Sequence, residues 1–269
     1  MKNKRIAVFS AARNRREKLR AVPGSVCWAI GALGATALFG SLGIVISWFV
    51  PYRVRYAIFS RWSLFLVWWA RVCCGIRWEV EGLEHKPSKP CVVLAKHQSA
   101  WETLALQAWF APQTWVLKQE LTRIPLIGWA IRMLQPIAID RQERKEAMQQ
   151  MLEQGERRLR DGIWVVVYPE GTRVPPGRSG RYQRGGAVLA AETGAAMILV
   201  AHNAGECWPK NSFLKYPGTI RVRISRPVET RGRGVEGLLK EAKDWIESNT
   251  RAVSSSYESD ERAAGGSPN

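Results

Sequence analysis

From Ala21 to Tyr52 the chain carries no charged residue, a stretch longer than the roughly 20 apolar residues with which a helix crosses a bilayer. Beyond it the pattern changes to short apolar runs, each closed by a polar turn: residues 91–95, 114–117, 137–139, 163–167 and 197–200. Such runs, apolar without alternation, predict strands buried on both faces. Residues 78–81 and 219–224 alternate instead, the second as Ile220, Val222 and Ile224 against Arg221 and Arg223, which predicts strands with one wet face at a sheet margin. Helical patterns lie between the runs, at 99–110, 125–133, 144–160, 186–193 and 235–246. In the third, Ala147, Met148, Met151, Leu152 and Leu159 recur at helical spacing before Asp161-Gly162; in the last, Val235, Leu238, Leu239, Ala242 and Ile246 share one side. Strands alternating with helices predict an α/β domain. A chain of 269 residues holds one such core plus an appendage.

Charge decides what the appendage is for. Residues 1–20 form a basic arm with Lys2, Lys4, Arg5, Arg13, Arg15, Arg16, Lys18 and Arg20 against Glu17, and the whole chain carries a net +17. Nucleic acid and an anionic membrane are the usual partners of such a chain. The uncharged stretch that follows selects anionic membrane lipid and no nucleic acid. Both flanks of the stretch are basic, with Arg53, Arg55, Arg61, Arg71 and Arg77 on the far side, so flank charge does not orient it. A single span and a hairpin that returns to the same side, bending in the F-G-S-L-G of residues 39–43, both stay open. Residues 62–70 are apolar but too few to span, and are expected to lie in the interface or pack on the domain. Segmentation is therefore a basic arm at 1–20, a membrane-embedded or interfacial helical segment at 21–77, a domain at 78–252 and a tail at 253–269 rich in Ser, Gly and charge. Five scattered cysteines without C-x-x-C suit a reducing compartment and argue against a zinc site.

The first apolar run delivers K-H-Q-S-A-W-E-T, residues 96–103, to a strand end, where ligands of open α/β folds bind. His97 is the candidate base, and Glu102, from the first turn of the next helix, the carboxylate that would fix its tautomer. Ser99 and Glu102 also spell S-x-x-E, a capping box, which is the commoner meaning of that spacing taken alone. His85 lies in a polar loop, and His202 near the end of the fifth run reads as structural or as lining the site. Three later stretches each follow an apolar run: K-Q-E-L-T-R-I-P-L-I-G-W from Lys118, Y-P-E-G-T-R from Tyr168, and A-H-N-A-G from Ala201.

In order and spacing these four stretches resemble the motifs of the glycerolipid acyltransferase family over roughly residues 78–227. The resemblance implies a mixed sheet flanked by helices, with an N-terminal membrane motif, at the cytoplasmic face of a bacterial inner membrane. It implies acyl transfer in phospholipid biosynthesis, from acyl-CoA or acyl carrier protein to the sn-2 hydroxyl of lysophosphatidic acid, giving phosphatidic acid without a cofactor or metal. His97 and Glu102 would be catalytic; Lys118, Arg141, Glu170, Gly171, Thr172 and Arg173 would bind substrate, with Arg173 the family's phosphate ligand. Pro125, Gly128 and Trp129 would shape the acyl-chain side. No G-x-S-x-G and no placed cysteine are present, so the acceptor hydroxyl attacks directly rather than through an acyl-enzyme. The sequence departs from the family in Glu102, where aspartate is commoner, and in lacking a proline near Leu199. Alternatives are another lyso-lipid acceptor, such as a lyso-ornithine lipid, and a non-catalytic basic membrane-binding protein; the second leaves the ordered motifs unexplained.

Overall fold

The structure, a computed structural model, describes residues 13–47, 49–123, 127–140 and 144–255. Arg141, Pro125, Trp48, the arm before Arg13 and the tail after Ser255 lie outside them, as do the side chains of Lys118 and Trp129.

The apolar runs are strands of one seven-stranded sheet: β1 (Ile76–Glu81), β2 (Val92–Ala95), β3 (Gln113–Lys118), β4 (Ile137–Ile139), β5 (Trp164–Val167), β6 (Met197–His202) and β7 (Gly218–Ile224). Their order is β1-β7-β6-β2-β5-β3-β4. Neighbours run parallel except β6 and β7, so β1 and β7 oppose the other five. The five co-directional strands thus end along one edge. At the centre Val93 stands in register with Val166 on one side and Ile198 on the other, all three fully buried. The two alternating stretches are the strands at and next to one margin, as their wet faces require. β1 starts at Ile76, two residues before the predicted Trp78, because Ile76 is itself fully buried.

Both sheet faces are covered. On one side α5 (Arg144–Arg160), α6 (Gly185–Thr193) and α8 (Val235–Val253) pack; of the predicted stripe, Leu238, Ala242 and Ile246 have no exposed surface, and Val235 and Leu239 are partly buried beside them. A leucine buried like Leu238 contributes about 1.5–3 kcal/mol. The predicted end of this helix at Ile246 is corrected to Val253, and the first residues of the predicted tail belong to the fold: Ser254 and Ser255 both donate to Glu206. On the other side Trp101, Phe110 and Trp164 form the core with Val67, Ala70 and Cys74. The helix predicted over 99–110 is shorter, α3 (Trp101–Ala105) followed by a tight turn over Leu106–Ala108. The segments α4 (Ile127–Met133) and α7 (Ala204–Cys207) complete the chain.

Val67, Ala70 and Cys74 belong to the segment read as interfacial, which is half of a helical hairpin. Helix α1 (Arg15–Ser47) is capped by Asn14, whose Oδ1 accepts the Glu17 N–H at 2.8 Å, and α2 (Tyr52–Cys74) returns along it. Trp28 Nε1 donates to the Leu66 carbonyl (3.1 Å) and Trp62 Nε1 to Thr36 Oγ1 (3.1 Å), which makes the pair antiparallel. Gly24 and Gly31 face Cys73 and Trp69 so closely that a Cβ at either would collide with them. The bend expected at residues 39–43 is not there: α1 stays helical through them, and the chain turns just before Pro51. Glycine permits a bend without imposing one, and α1 runs on through Pro23 as well; Pro51, with φ −59° and ψ 157°, stands outside helical geometry at the start of α2. Gly75 ends α2 in the left-handed conformation, φ 66°. Helix α2 therefore packs on the domain, while α1 covers α2 and turns outward Leu19, Val22, Val26, Ile30 and Leu33, each 40% or more exposed. Residues Arg15–Ser41 of α1 are long and apolar enough to cross a membrane by length and composition.

Candidate active site

Four of the stretches singled out in the sequence emerge at the edge where β2, β5, β6 and β3 end. His97 follows β2 in the middle. Its Nδ1 lies 2.9 Å from Glu102 Oε1, and the same oxygen accepts the backbone N–H groups of Gln98 (2.9 Å) and Ser99 (2.8 Å). The carboxylate thus faces the imidazole while accepting the Ser99 N–H, the half of a capping box that a glutamate supplies; the helix begins after Ala100, which makes no side-chain cap. Glu102 has no exposed surface. Burial alone would raise its pKa, but the neighbouring histidines and the Ser99 N–H outweigh burial and hold the carboxyl below its usual range. As an ionised acceptor it fixes the proton on His97 Nδ1 and leaves Nε2 as the basic nitrogen; Nε2 has no hydrogen-bond partner among the described residues. Tyr168 stacks on the imidazole, ring centroids 4.2 Å apart and planes 23° apart. Its hydroxyl is shielded and without a partner among the described residues.

Beneath this pair lies a charged network. Lys96 is fully buried, and its Nζ donates to Glu170 Oε1 (2.7 Å), Glu247 Oε1 (2.8 Å) and the Arg178 carbonyl (3.1 Å), which saturates an ammonium. Glu170 Oε2 accepts the His97 N–H at 3.0 Å, and Glu170 Oε1 that of Gly180 at 3.1 Å. Glu170, assigned on sequence to substrate binding, is buried and spends its oxygens on protein donors. Tyr182 and α8 join through Glu247, whose Oε1 accepts the Tyr182 hydroxyl at 2.9 Å. His202 is a strut: Ala204 N–H donates to its Nδ1 (3.2 Å), so its Nε2 carries the proton and donates to the Lys96 carbonyl (2.9 Å). Burial pushes its pKa down, in keeping with a neutral ring.

The Y-P-E-G-T-R turn wraps the open side. Gly171 takes φ 65°, a conformation glycine adopts without a Cβ penalty, and its N–H closes the turn onto the Tyr168 carbonyl at 2.9 Å. Val174 N–H donates to the His97 carbonyl at 2.7 Å, which places Arg173 beside the base. Thr172 is exposed and Arg173 half-buried, and neither carries an acidic partner among the described residues. Lys210 donates to Thr172 Oγ1 (3.2 Å) and to the Arg173 carbonyl (2.9 Å), adding a cationic side chain that sequence reasoning passed over. Lys118 ends β3, opposite Ile139 of β4. Lys96, Tyr168 and Glu247 were also missed. The first two sit inside the quoted motifs and were legible as motif members, whereas Glu247 lies 151 residues from Lys96 and leaves no local signal.

A nitrogen base held by a buried carboxylate, next to free cations, suits proton abstraction from a hydroxyl on an anionic substrate. The acyltransferase family model matches residues 77–204. The chain is similar to a Pseudomonas aeruginosa protein named 1-acyl-sn-glycerol-3-phosphate acyltransferase, 44% identical over 227 residues, which cover 82% of this chain and 88% of that one. A protein of the same name from Limnanthes alba is 28% identical over 210 residues, 76% of this chain and 72% of that one. The fold matches the crystal structure of the 1-acyl-sn-glycerophosphate acyltransferase PlsC from Thermotoga maritima, with a TM-score of 0.72 and 22% identity over 88% of this chain and 97% of that chain. Kinship, motif order and site geometry agree, and the chain belongs to the acyltransferase family.

Proposed function

We propose that this acyltransferase moves a fatty acyl group from acyl-CoA or acyl carrier protein to the sn-2 hydroxyl of 1-acylglycerol 3-phosphate, giving phosphatidic acid. The observation that carries the reading is the His97–Glu102 pair beside an Arg173 with no acidic partner among the described residues. His97 Nε2 takes the hydroxyl proton as the oxygen attacks the thioester carbon. The tetrahedral intermediate collapses, the C–S bond breaks, and the imidazolium returns the proton to the leaving thiolate. Glu102 stabilises the imidazolium between these steps. Arg173, with the Lys118 and Arg141 that the motifs supply, holds the acceptor phosphate. No cofactor enters this scheme, and turnover is expected to be unchanged by a chelator.

We place the enzyme at the cytoplasmic face of a bacterial inner membrane, in contact with anionic lipid rather than nucleic acid; the exposed stripe of α1 supports the membrane contact. Arg13 donates to the Glu206 carbonyl of the domain at 2.9 Å, so the start of α1 and the catalytic edge share one side of that membrane. The full chain is expected to resist extraction by salt or carbonate and to need detergent.

The test is an assay of the detergent-purified chain with each donor against 1-acylglycerol 3-phosphate, a lyso-ornithine lipid and lysophosphatidylcholine. Preference for the first acceptor is expected. Equal use of a lyso-lipid lacking a terminal phosphate would overturn the phosphate-clamp assignment.

A further inference from the structure

Lys215 lies outside the four motifs and is 4% exposed. Its ammonium has no carboxylate partner among the described residues. It sits instead 3.7 Å from the ring centroid of Trp28 and 4.7 Å from that of Trp208, with Phe213 at 5.8 Å, and donates to the Phe213 carbonyl at 3.2 Å. Trp28 and Trp208 meet edge to face, centroids 4.7 Å apart. Burial pushes the Lys215 pKa down to about 8; aromatic faces attract a cation and work the other way. A methionine or leucine would fill this space without desolvating a charge, so the ammonium serves something other than core packing.

The two indoles belong to different parts of the molecule. Trp28 is on α1, the helix with the outward apolar stripe, and the Lys215 N–H donates to Ser25 Oγ of the same helix at 2.9 Å. Trp208 follows α7 at the reactive edge, and its carbonyl accepts the Ser99 hydroxyl at 2.6 Å. Ser99 Oγ in turn accepts the Trp101 N–H (3.1 Å), while the Ser99 N–H is one of the three donors on Glu102 Oε1. An unbroken line of contacts therefore runs from α1 through Lys215 and Trp208 to Ser99 and Glu102.

We infer that Lys215 is a positioning residue: its aromatic-boxed ammonium sets the Trp208–Ser99 segment, and through it the His97–Glu102 pair, relative to the lipid-facing helix. This rests on the catalytic reading of that pair. An ammonium between two indoles is held by direction and distance, which an apolar side chain of equal volume is not, so the contact fixes a register that packing alone leaves loose.

The experiment compares the full chain with Lys215→Met, which keeps length and removes charge, and Lys215→Arg, which keeps the cation over the indoles. In phosphatidylethanolamine–phosphatidylglycerol vesicles, kcat should fall roughly tenfold or more in Lys215→Met, with KM for both substrates within about twofold and Tm undiminished, and Lys215→Arg should recover most of it. A kcat within twofold of wild type in Lys215→Met would overturn the inference. So would a fall in Tm that tracks the lost activity and is not rescued by arginine, since that marks a purely structural role. A second measurement does not depend on which acceptor the enzyme uses: the low-field Nδ1–H resonance of His97, identified by its loss in His97→Asn, should shift in Lys215→Met and return in Lys215→Arg. Should wild type prove inactive on 1-acylglycerol 3-phosphate, the proposed acceptor fails and this resonance alone decides; no shift then rejects Lys215.

Discussion

The two halves of the site differ in how finished they are. Around His97 most groups are paired inside the protein: Glu102 takes three N–H groups on one oxygen, Glu170 takes three donors, and Lys96 gives three hydrogen bonds below them, while His97 Nε2, Glu102 Oε2 and the Tyr168 hydroxyl have no hydrogen-bond partner among the described residues. Around Arg173 the groups are exposed or half-buried, and no acid among the described residues neutralises the guanidinium. The contrast separates two tasks. A base must be oriented and its conjugate acid stabilised before the hydroxyl arrives, which requires a rigid, desolvated surround. An anion clamp must stay open, because a cation already paired would have to break that pair to bind a phosphate.

Substitutions in the closed half should therefore cost turnover or folding, and those in the open half binding. The largest effect is expected from His97→Ala, which removes the base: kcat should fall on the order of 10²–10⁴-fold with the protein still folded. Glu102→Gln keeps an oxygen for the Ser99 N–H but loses the charge facing the imidazolium, so kcat should fall on the order of 10² or more while Tm moves little. A near-normal rate in Glu102→Gln would mean that Glu102 caps and does no more. Lys96→Met strands the buried Glu170 carboxylate and the half-buried Glu247 beside it, and denaturant titration should show a loss of about 3–5 kcal/mol; a loss under 1 kcal/mol would show the network to be dispensable. In the open half Arg173→Lys keeps charge and loses the bidentate fork, so KM for 1-acylglycerol 3-phosphate should rise roughly tenfold, about 1.4 kcal/mol, with the donor KM moving much less. Equal rises for both substrates would erase the division of labour.

Much of the closed half was legible because it is local. The apolar runs before His97 and Tyr168 are β2 and β5, neighbours in the sheet, so the motifs that follow them had to meet. The length of Cys91–Ala95 and its lack of alternation were enough to place His97 at a strand end. Sheet order was not legible: nothing in residues 218–224 shows that β7 runs antiparallel to β6 yet parallel to β1. Lys96 read as one basic residue among many, since the acids that bury it, Glu170 and Glu247, come from distant elements. The hairpin was half legible. Hydropathy marked its first helix, but the turn depends on Pro51, and α2 hides its helical face behind Arg53, Arg55 and Arg61, polar positions that break an apolar count without breaking a helix.

The outward stripe of α1 has a kinetic consequence. The helix that carries it is docked through Arg13 on Glu206 of α7 and through Ser25 on Lys215, at the edge where His97 sits, so a stripe seated in a membrane as proposed brings the catalytic centre near that surface. A two-tailed product and a one-tailed acceptor then reach and leave the enzyme by lateral diffusion, and what saturates it is the number of acceptor molecules per unit of surface rather than per litre. Diluting the acceptor with inert phospholipid at fixed bulk concentration should slow the reaction, and adding vesicles of unchanged composition should not.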